Sequence, residues 1–174
     1  MTVFAPSADR PYAEVIGDPI KHSKSPLIHG YWAEAAGLDV LYRQQHVAAE
    51  DLGAYFAART ADPLFKGCNI TIPHKIAALD HVPDPGDVRG SIGAINTVAR
   101  DADGAFFGTN TDAGGFAAPI SDRDWSGESA VLIGAGGAAR AIVFALKALG
   151  FGHVSVMARN PMKVMGLLGQ FGMK

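Results

Sequence analysis

The sequence predicts an α/β protein in two parts, a mixed but mainly parallel sheet domain followed by the opening of a second parallel unit. Three observations carry this. Extended-type and helix-type segments alternate as β-α-β-α-β between Tyr12 and Pro83, an order that builds parallel strands joined by crossover helices. Hydrophobic residues make up 48% of the chain and charged residues only 18%, which suits sheets buried on both faces. Towards the C-terminus, a short apolar run over Ala130–Ile133 feeds a glycine-rich turn that opens another helix.

Residues 1–11, with Pro6, Ser7, Asp9, Arg10 and Pro11, read as a flexible lead-in. Tyr12–Gly17 reads as the first strand, stopped by Gly17-Asp18-Pro19. Ser25-Pro26 reads as a helix start, a hydroxyl N-cap followed by proline at the first helical position, and Gly37 as its stop. Val40–Val47 is a second strand and Glu50–Arg59 a second helix. The third strand opens at Phe65 and breaks at Pro73, which has no N–H for a ladder; a short helix follows Lys75. Ala94–Arg100 and Ala105–Thr109 flank Asp101-Ala102-Asp103-Gly104, a hairpin connection, and a helix begins near Thr111-Asp112. The polar stretch Ser121–Gly127 marks the expected boundary between a first domain over 12–122 and a second over 123–174. The second domain then holds the Ala130–Ile133 strand, a helix to about Leu149 and a strand over Val154–Ala158.

A chain of 174 residues buries a sizeable core. Its 15 basic and 17 acidic residues are spread without long runs, which argues against nucleic acid and anionic membranes as partners. The single Cys68 cannot close an internal disulfide, and it reads as a core residue rather than a nucleophile. Neither a signal peptide over Met1–Arg10 nor a membrane-spanning apolar run is visible, so a soluble cytoplasmic protein is expected. The histidines show no metal-ligand spacing, and no metal site is expected; Tyr31 and Trp32 read as packing residues of the first helix.

Gly134, Gly136 and Ala139 fill the small positions of G-x-G-x-x-G/A between a strand and a helix. The first glycine permits the tight turn, and the second lets the backbone approach a pyrophosphate. The helix N-terminus adds free amides and the positive end of a dipole. After the next strand, an NAD-binding unit places an acidic residue on the ribose hydroxyls, but none stands between Val154 and Asn160. Arg159 stands there instead, with Lys163 one helical turn further on. A carboxylate would repel a 2′-phosphate, whereas a guanidinium grips it with paired hydrogen bonds, so the expected cofactor is NADP (NADPH) rather than NAD.

Two other stretches carry chemistry. Asn69 and Thr71, two apart, share a strand face, and Lys75 follows at the strand's carboxyl end, where open α/β sheets put ligands. An amide, a hydroxyl and an amine suit a polyol. Ser23 and Ser25 offer two hydroxyls beside a helix N-terminus, a compact carboxylate-binding corner; on these residues alone, ordinary capping by Ser25 is the stronger reading.

Ser23-x-Ser25-Pro26, Asn69-x-Thr71-x-Pro73-x-Lys75, Gly93-Ala94-x-Asn96-Thr97, Asn110-Thr111-Asp112 and Gly134-Ala135-Gly136-Gly137-Ala138 occur in this order. Over roughly residues 12–165 the chain thereby resembles the shikimate dehydrogenases. The resemblance implies NADP-linked reduction of 3-dehydroshikimate to shikimate, in aromatic amino-acid biosynthesis, by a substrate domain joined to a Rossmann domain. By matching position it implies that Ser23 and Ser25 bind the substrate carboxylate and that Asn69, Thr71 and Asn96 hold ring hydroxyls. Lys75 and Asp112 stand in the places of the family's catalytic pair and also touch substrate. Cofactor contacts are implied for Gly134, Ala135, Gly136, Gly137, Ala138, Arg159, Asn160 and Lys163. Asp87 falls where the family has an acidic residue near the cofactor, though in no clear motif.

The chain departs from the pattern at Gly30 and Ala158, where many relatives carry asparagine. It also stops after two strands and two helices of the nucleotide domain, without the family's substrate-reaching glutamine or returning tail, and so reads as a fragment rather than an independently active enzyme. The competing expectations are an NAD-linked quinate/shikimate dehydrogenase, against which Arg159 argues, and a shikimate-binding protein without turnover. A small-molecule substrate is the expected partner, with a homodimer as the assembly considered.

Overall fold

The computed structural model describes Phe4 and residues 9–172, so the lead-in expected over 1–11 lies mostly outside the described residues. The chain forms two compact units: one up to Gly86 together with Ile95–Thr109, the other Asp87–Ala94 together with the chain from Asn110.

The first unit is the expected mixed, mainly parallel sheet. Its strands are β1 (Tyr12–Gly17), β2 (Leu41–His46), β3 (Phe65–Ile70), β4 (Thr97–Arg100) and β5 (Phe106–Thr109), in the order β2-β1-β3-β4-β5. β1 runs parallel to both β2 and β3, whereas β4 is antiparallel to β3 and β5. The crossovers are α1 (Ser25–Ala35) and α2 (Leu52–Thr60), the latter entered through a 3-10 turn at Ala49–Asp51. The Asp101–Gly104 hairpin is as expected: the Asp101 carboxylate accepts from the N–H groups of Asp103 and Ala105 at 3.0 and 2.8 Å.

Alternation along β1 gives the sheet two different faces. Tyr12, Glu14 and Ile16 point to the α2 side, where Phe4, Tyr55, Phe56 and Phe65 are also buried. Glu14, fully buried, accepts from Tyr55 Oη at 2.7 Å, from Arg59 Nε at 2.9 Å and from Arg43 Nε at 2.9 Å. A buried carboxylate persists only when paired and hydrogen-bonded in this way. Arg100 ties α2 to the sheet edge by donating to the carbonyls of Phe65, Arg59 and Asp62. Tyr12 Oη donates to Asp62 Oδ2 at 2.6 Å, and Leu64 N–H to Asp62 Oδ1 at 2.9 Å. Burial works against the Asp62 charge, but these donors outweigh it and hold the carboxyl below its ordinary range.

Five details differ from the sequence expectations. Ser25 is the first residue of α1 rather than its cap; Lys24 takes the cap position without a side-chain bond, and Ser25 N–H donates to Ser23 Oγ at 3.3 Å. β3 ends at Ile70, and Thr71 continues it only through its N–H bond to the Ile16 carbonyl at 2.9 Å. The helix after Lys75 is a 3-10 turn at Ala77–Asp80, and β4 starts only at Thr97 because Ile95 N–H donates to the Lys75 carbonyl instead of to a strand neighbour. Tyr31 and Trp32 are 68% and 58% exposed, although Trp32 meets His29 edge-to-face at 5.2 Å and lines the cavity under α1 beside Ala33, the buried residue of that helix.

The second unit contains α3 (Val88–Ser91), α4 (Asp112–Ala117), β6 (Ser129–Ile133), α5 (Gly137–Ala148), β7 (His153–Met157) and α6 (Pro161–Gln170). β6 and β7 pair in parallel from Ser129↔His153 to Ile133↔Met157, which gives the strand–turn–helix–strand order expected of a Rossmann opening. Ala139, Val143 and Leu146 make one stripe of α5 and pack with Val154 and Leu167, with Phe116 and Phe151 against the same cluster. The polar stretch at 121–127 is tied down: Trp125 Nε1 donates to the Ile120 carbonyl at 2.7 Å, and its ring stacks on Phe151 with centroids 5.0 Å apart. Among the described residues no helix is long and apolar enough to cross a membrane.

Candidate functional site

In the first unit the chemistry gathers at one edge of the sheet by topology alone. β1 and β3 are adjacent and parallel, so the loops leaving both emerge on the same side; antiparallel β4 begins there. Ser23 and Ser25 follow β1, Lys75 follows β3, and Asn96 immediately precedes β4.

The lysine loop is zipped to the end of β1. Asp18 N–H donates to the Ile72 carbonyl at 3.0 Å, next to the Thr71–Ile16 bond. This approach requires glycine at position 17, because a Cβ there would lie 2.6 Å from Thr71 Cγ2 and 2.8 Å from the Ile72 oxygen. Buried His74 fastens the loop from below, its Nε2–H donating to the Val47 carbonyl at 2.7 Å. Lys75, half-buried, accepts from Ile95 N–H at 2.8 Å through its carbonyl, which brings the Gly93–Thr97 motif to the lysine loop. Asn96 is anchored by its main chain, its carbonyl accepting from Ile70 at 2.7 Å and its N–H donating to Thr109 at 3.1 Å.

Side chains link two of the expected binding residues. Asn69 Nδ2 donates to Thr97 Oγ1 at 3.2 Å, and Thr97 Oγ1 donates to Asn96 Oδ1 at 3.0 Å. Tyr42 Oη donates to Asn69 Oδ1 at 2.7 Å. Cys68 faces away from this group, buried, its thiol pushed up to about 12 by burial, so it stays a neutral core group.

In the second unit, Asn110 fixes the first turn of α4. Its Oδ1 accepts from Asp112 N–H at 2.9 Å and Ala113 N–H at 3.4 Å, while its Nδ2 donates to the Ala94 carbonyl at 2.7 Å. Asp112 is thus held at the start of a helix by its own motif. Asp87 is exposed, has a left-handed backbone (φ 50°) and spends its carboxylate on the Gly90 N–H, capping α3.

A cavity of about 900 Å³ lies beside the glycine turn, lined by Gly134, Ala135, Gly136, Arg159, Asn160 and Lys163 among others. No acidic residue is among its lining residues, nor is Asp87. Gly134 (φ +120°) donates its N–H to Met157 at 2.8 Å and turns the chain; Gly136 caps α5, with nothing within 4 Å of where a Cβ would stand. Gly137 and Ala138 form the first turn of α5. Open backbone at a helix N-terminus, flanked by two exposed cations, fits the phosphates of a dinucleotide. Asn160 has a second task, since its Oδ1 caps α6 by accepting from Met162 and Lys163 N–H at 3.0 and 3.4 Å.

Several contributors are not evident from single residue types. His74 and Asn110 sit inside recognisable motifs, yet their partners are main-chain carbonyls remote in sequence. Tyr42 and Thr97 reach Asn69 across the sheet, and only strand register announces that. The Asn160-Pro161 pair was the legible signal for the α6 cap.

The chain is similar to known proteins over most of its length. Residues 15–98 match the family model of the shikimate dehydrogenase substrate binding domain. The chain is 56% identical over 164 residues to a shikimate dehydrogenase (NADP(+)) of Sphingopyxis alaskensis, covering 94% of this chain and 60% of that protein. Its fold matches the crystal structure of shikimate dehydrogenase from Aquifex aeolicus with a TM-score of 0.85 at 31% identity, over 98% of this chain and 64% of that one. It also matches the Thermus thermophilus shikimate 5-dehydrogenase in complex with NADP(H) and shikimate, with a TM-score of 0.78 at 37% identity, over 94% and 62% of the two chains. The chain therefore spans about 60% of the length of the Sphingopyxis alaskensis relative, and over that span it is similar to the shikimate dehydrogenases, with residues 15–98 matching their substrate binding domain.

Proposed function

We propose that this chain carries the substrate pocket and the phosphate-binding turn of an NADP-dependent shikimate dehydrogenase, which reduces 3-dehydroshikimate to shikimate. The observation that carries the reading is the placement of two hydroxyls after β1 and an amine after β3 on one edge of the sheet. Ser23 and Ser25 take the substrate carboxylate, and Asn69, Thr71 and Asn96 take ring hydroxyls. Lys75 donates a proton to the ketone oxygen as that oxygen becomes an alcohol, and Asp112 orients the ammonium and the neighbouring hydroxyl. Bound NADPH supplies the hydride. Gly134, Ala135, Gly136, Gly137 and Ala138 hold its pyrophosphate, and Arg159, Asn160 and Lys163 surround the 2′-phosphate. Asp87 has a weaker claim to a cofactor contact, since α3 already uses its carboxylate.

In this proposal the substrate domain extends over 12–122 and the cofactor domain over 123–174, although Asp112 groups with the second compact unit. Cytoplasmic location and a homodimer belong to the same reading. The test is 3-dehydroshikimate-dependent oxidation of NADPH. Replacing Lys75 with Ala should cost about a hundredfold or more in turnover, the usual worth of a positioned acid, while shikimate still binds. Near-normal turnover by that variant would sink the assignment. Shikimate binding by the unaltered chain with no oxidation of NADPH would favour a binding role instead.

A further inference from the structure

We infer that Tyr42 is a positioning residue for the substrate-binding amides, acting through a one-directional relay from Tyr42 to Asn69 to Thr97 to Asn96. The inference rests on the substrate roles proposed for Asn69 and Asn96.

The register makes the relay possible. Tyr42 on β2 pairs with Ala13, and Asn69 on β3 pairs with Val15, so both lie on the α1 side of the sheet with β1 between them. Directly across from Tyr42 this face carries only Ala13 and then Gly67, and the phenol ring can pass over both to reach β3. His29 of α1 stacks on the Tyr42 ring at 4.2 Å and 7°, holding it flat over the sheet.

Hydrogen-bond chemistry then fixes the direction. Asn69 Oδ1 takes the phenol proton, so its Nδ2 end must face Thr97 Oγ1. The single Thr97 hydroxyl proton is left to donate to Asn96 Oδ1, which turns the Asn96 amide nitrogen to the opposite side. Burial raises the Tyr42 pKa above the ordinary phenol value, so the group remains a donor at working pH. Packing does not do this work alone. Tyr42 and Asn69 both line a cavity of about 550 Å³ under α1, so contact from that side leaves the carboxamide room to turn. Two amides set in one orientation before substrate arrives lower the ordering cost of binding.

Tyr42→Phe keeps the ring and its stack on His29 but removes the donor. In the free protein the Asn69 side-chain amide resonances should move in this variant. In calorimetry its affinity for shikimate should fall about tenfold, the worth of one well-placed hydrogen bond, with the circular dichroism spectrum unchanged. In an Asn69→Ala background the same substitution should change affinity by less than about twofold, because the relay is already cut. Wild-type affinity in Tyr42→Phe, or an equal loss in both backgrounds, would overturn the positioning role. Unmoved Asn69 resonances would overturn the relay itself, whether or not shikimate binds. Failure of the unaltered chain to bind shikimate, with the resonances moving as expected, would instead remove the substrate reading and leave the relay standing.

Discussion

The two units hold their candidate functional groups by different means. In the first, polar side chains are braced from behind by other side chains: Asn69 by Tyr42 and Thr97, Lys75's loop by His74, and the strands beneath by the Glu14–Arg59 pair. In the second, the work falls to backbone geometry and caps. Gly134 and Gly136 shape the turn, Asn160 caps α6, and Arg159 and Lys163 stand exposed at the rim of the cavity. A polyol requires several hydroxyls to be met at fixed angles, which favours a braced pocket. A pyrophosphate asks mainly for free N–H groups and positive potential, which a glycine turn at a helix start supplies without side chains.

The contrast can be broken most forcefully at Glu14. Replacing it with Ala leaves Arg59, 1% exposed, without its buried counter-charge, and should cost about 3–5 kcal/mol in denaturant unfolding of the first unit. Gly17→Ala should follow at about 1–3 kcal/mol, since its Cβ would collide with the lysine loop. Gly136→Val should do the reverse of both. Open space around that position spares the fold, so the melting temperature should barely move, while NADP affinity should fall by about tenfold or more as the side chain blocks the phosphates. Arg159→Ala should be milder still, lowering affinity for NADP by about tenfold and leaving that for NAD nearly unchanged, as paired fluorescence titrations would show.

Acid stability offers a smaller probe confined to the first unit. The Asp62 carboxyl titrates lower in the folded than in the unfolded chain, because the Tyr12 and Leu64 donors outweigh its burial. The folded state therefore gains stability above the unfolded-state carboxyl value and loses it as pH falls through the lower folded value. Tyr12→Phe should flatten the acid limb of the stability–pH curve; an unchanged limb would show that the Tyr12 donor contributes nothing there.

Much of this was legible because the informative residues combine a special backbone role with a chemical one. The Gly134–Ala139 turn and the Asp101–Gly104 hairpin are dictated locally, and both formed where expected. The strand order β1-α1-β2-α2-β3 followed from alternation of residue types. What stayed hidden was non-local. Glu14 in Tyr12–Gly17 looks like a solvent-facing strand position until Arg59, 45 residues away, is folded against it. Ser25 carried the marks of a cap, yet the loop after Ile20 enters the helix through Lys24 and leaves Ser23 to accept the Ser25 N–H. Tyr31 and Trp32 read as packing residues, yet both are more than half exposed, and the smaller Ala33 is the buried residue of α1.

The braced first unit as a ready-made shikimate site is the central claim, and calorimetric titration of shikimate into this 174-residue chain tests it most directly. Saturable one-to-one binding is expected without any nucleotide, weakened about tenfold or more by Asn69→Ala or by Ser23→Ala. Absence of binding by a folded chain, or binding indifferent to both substitutions, would contradict it.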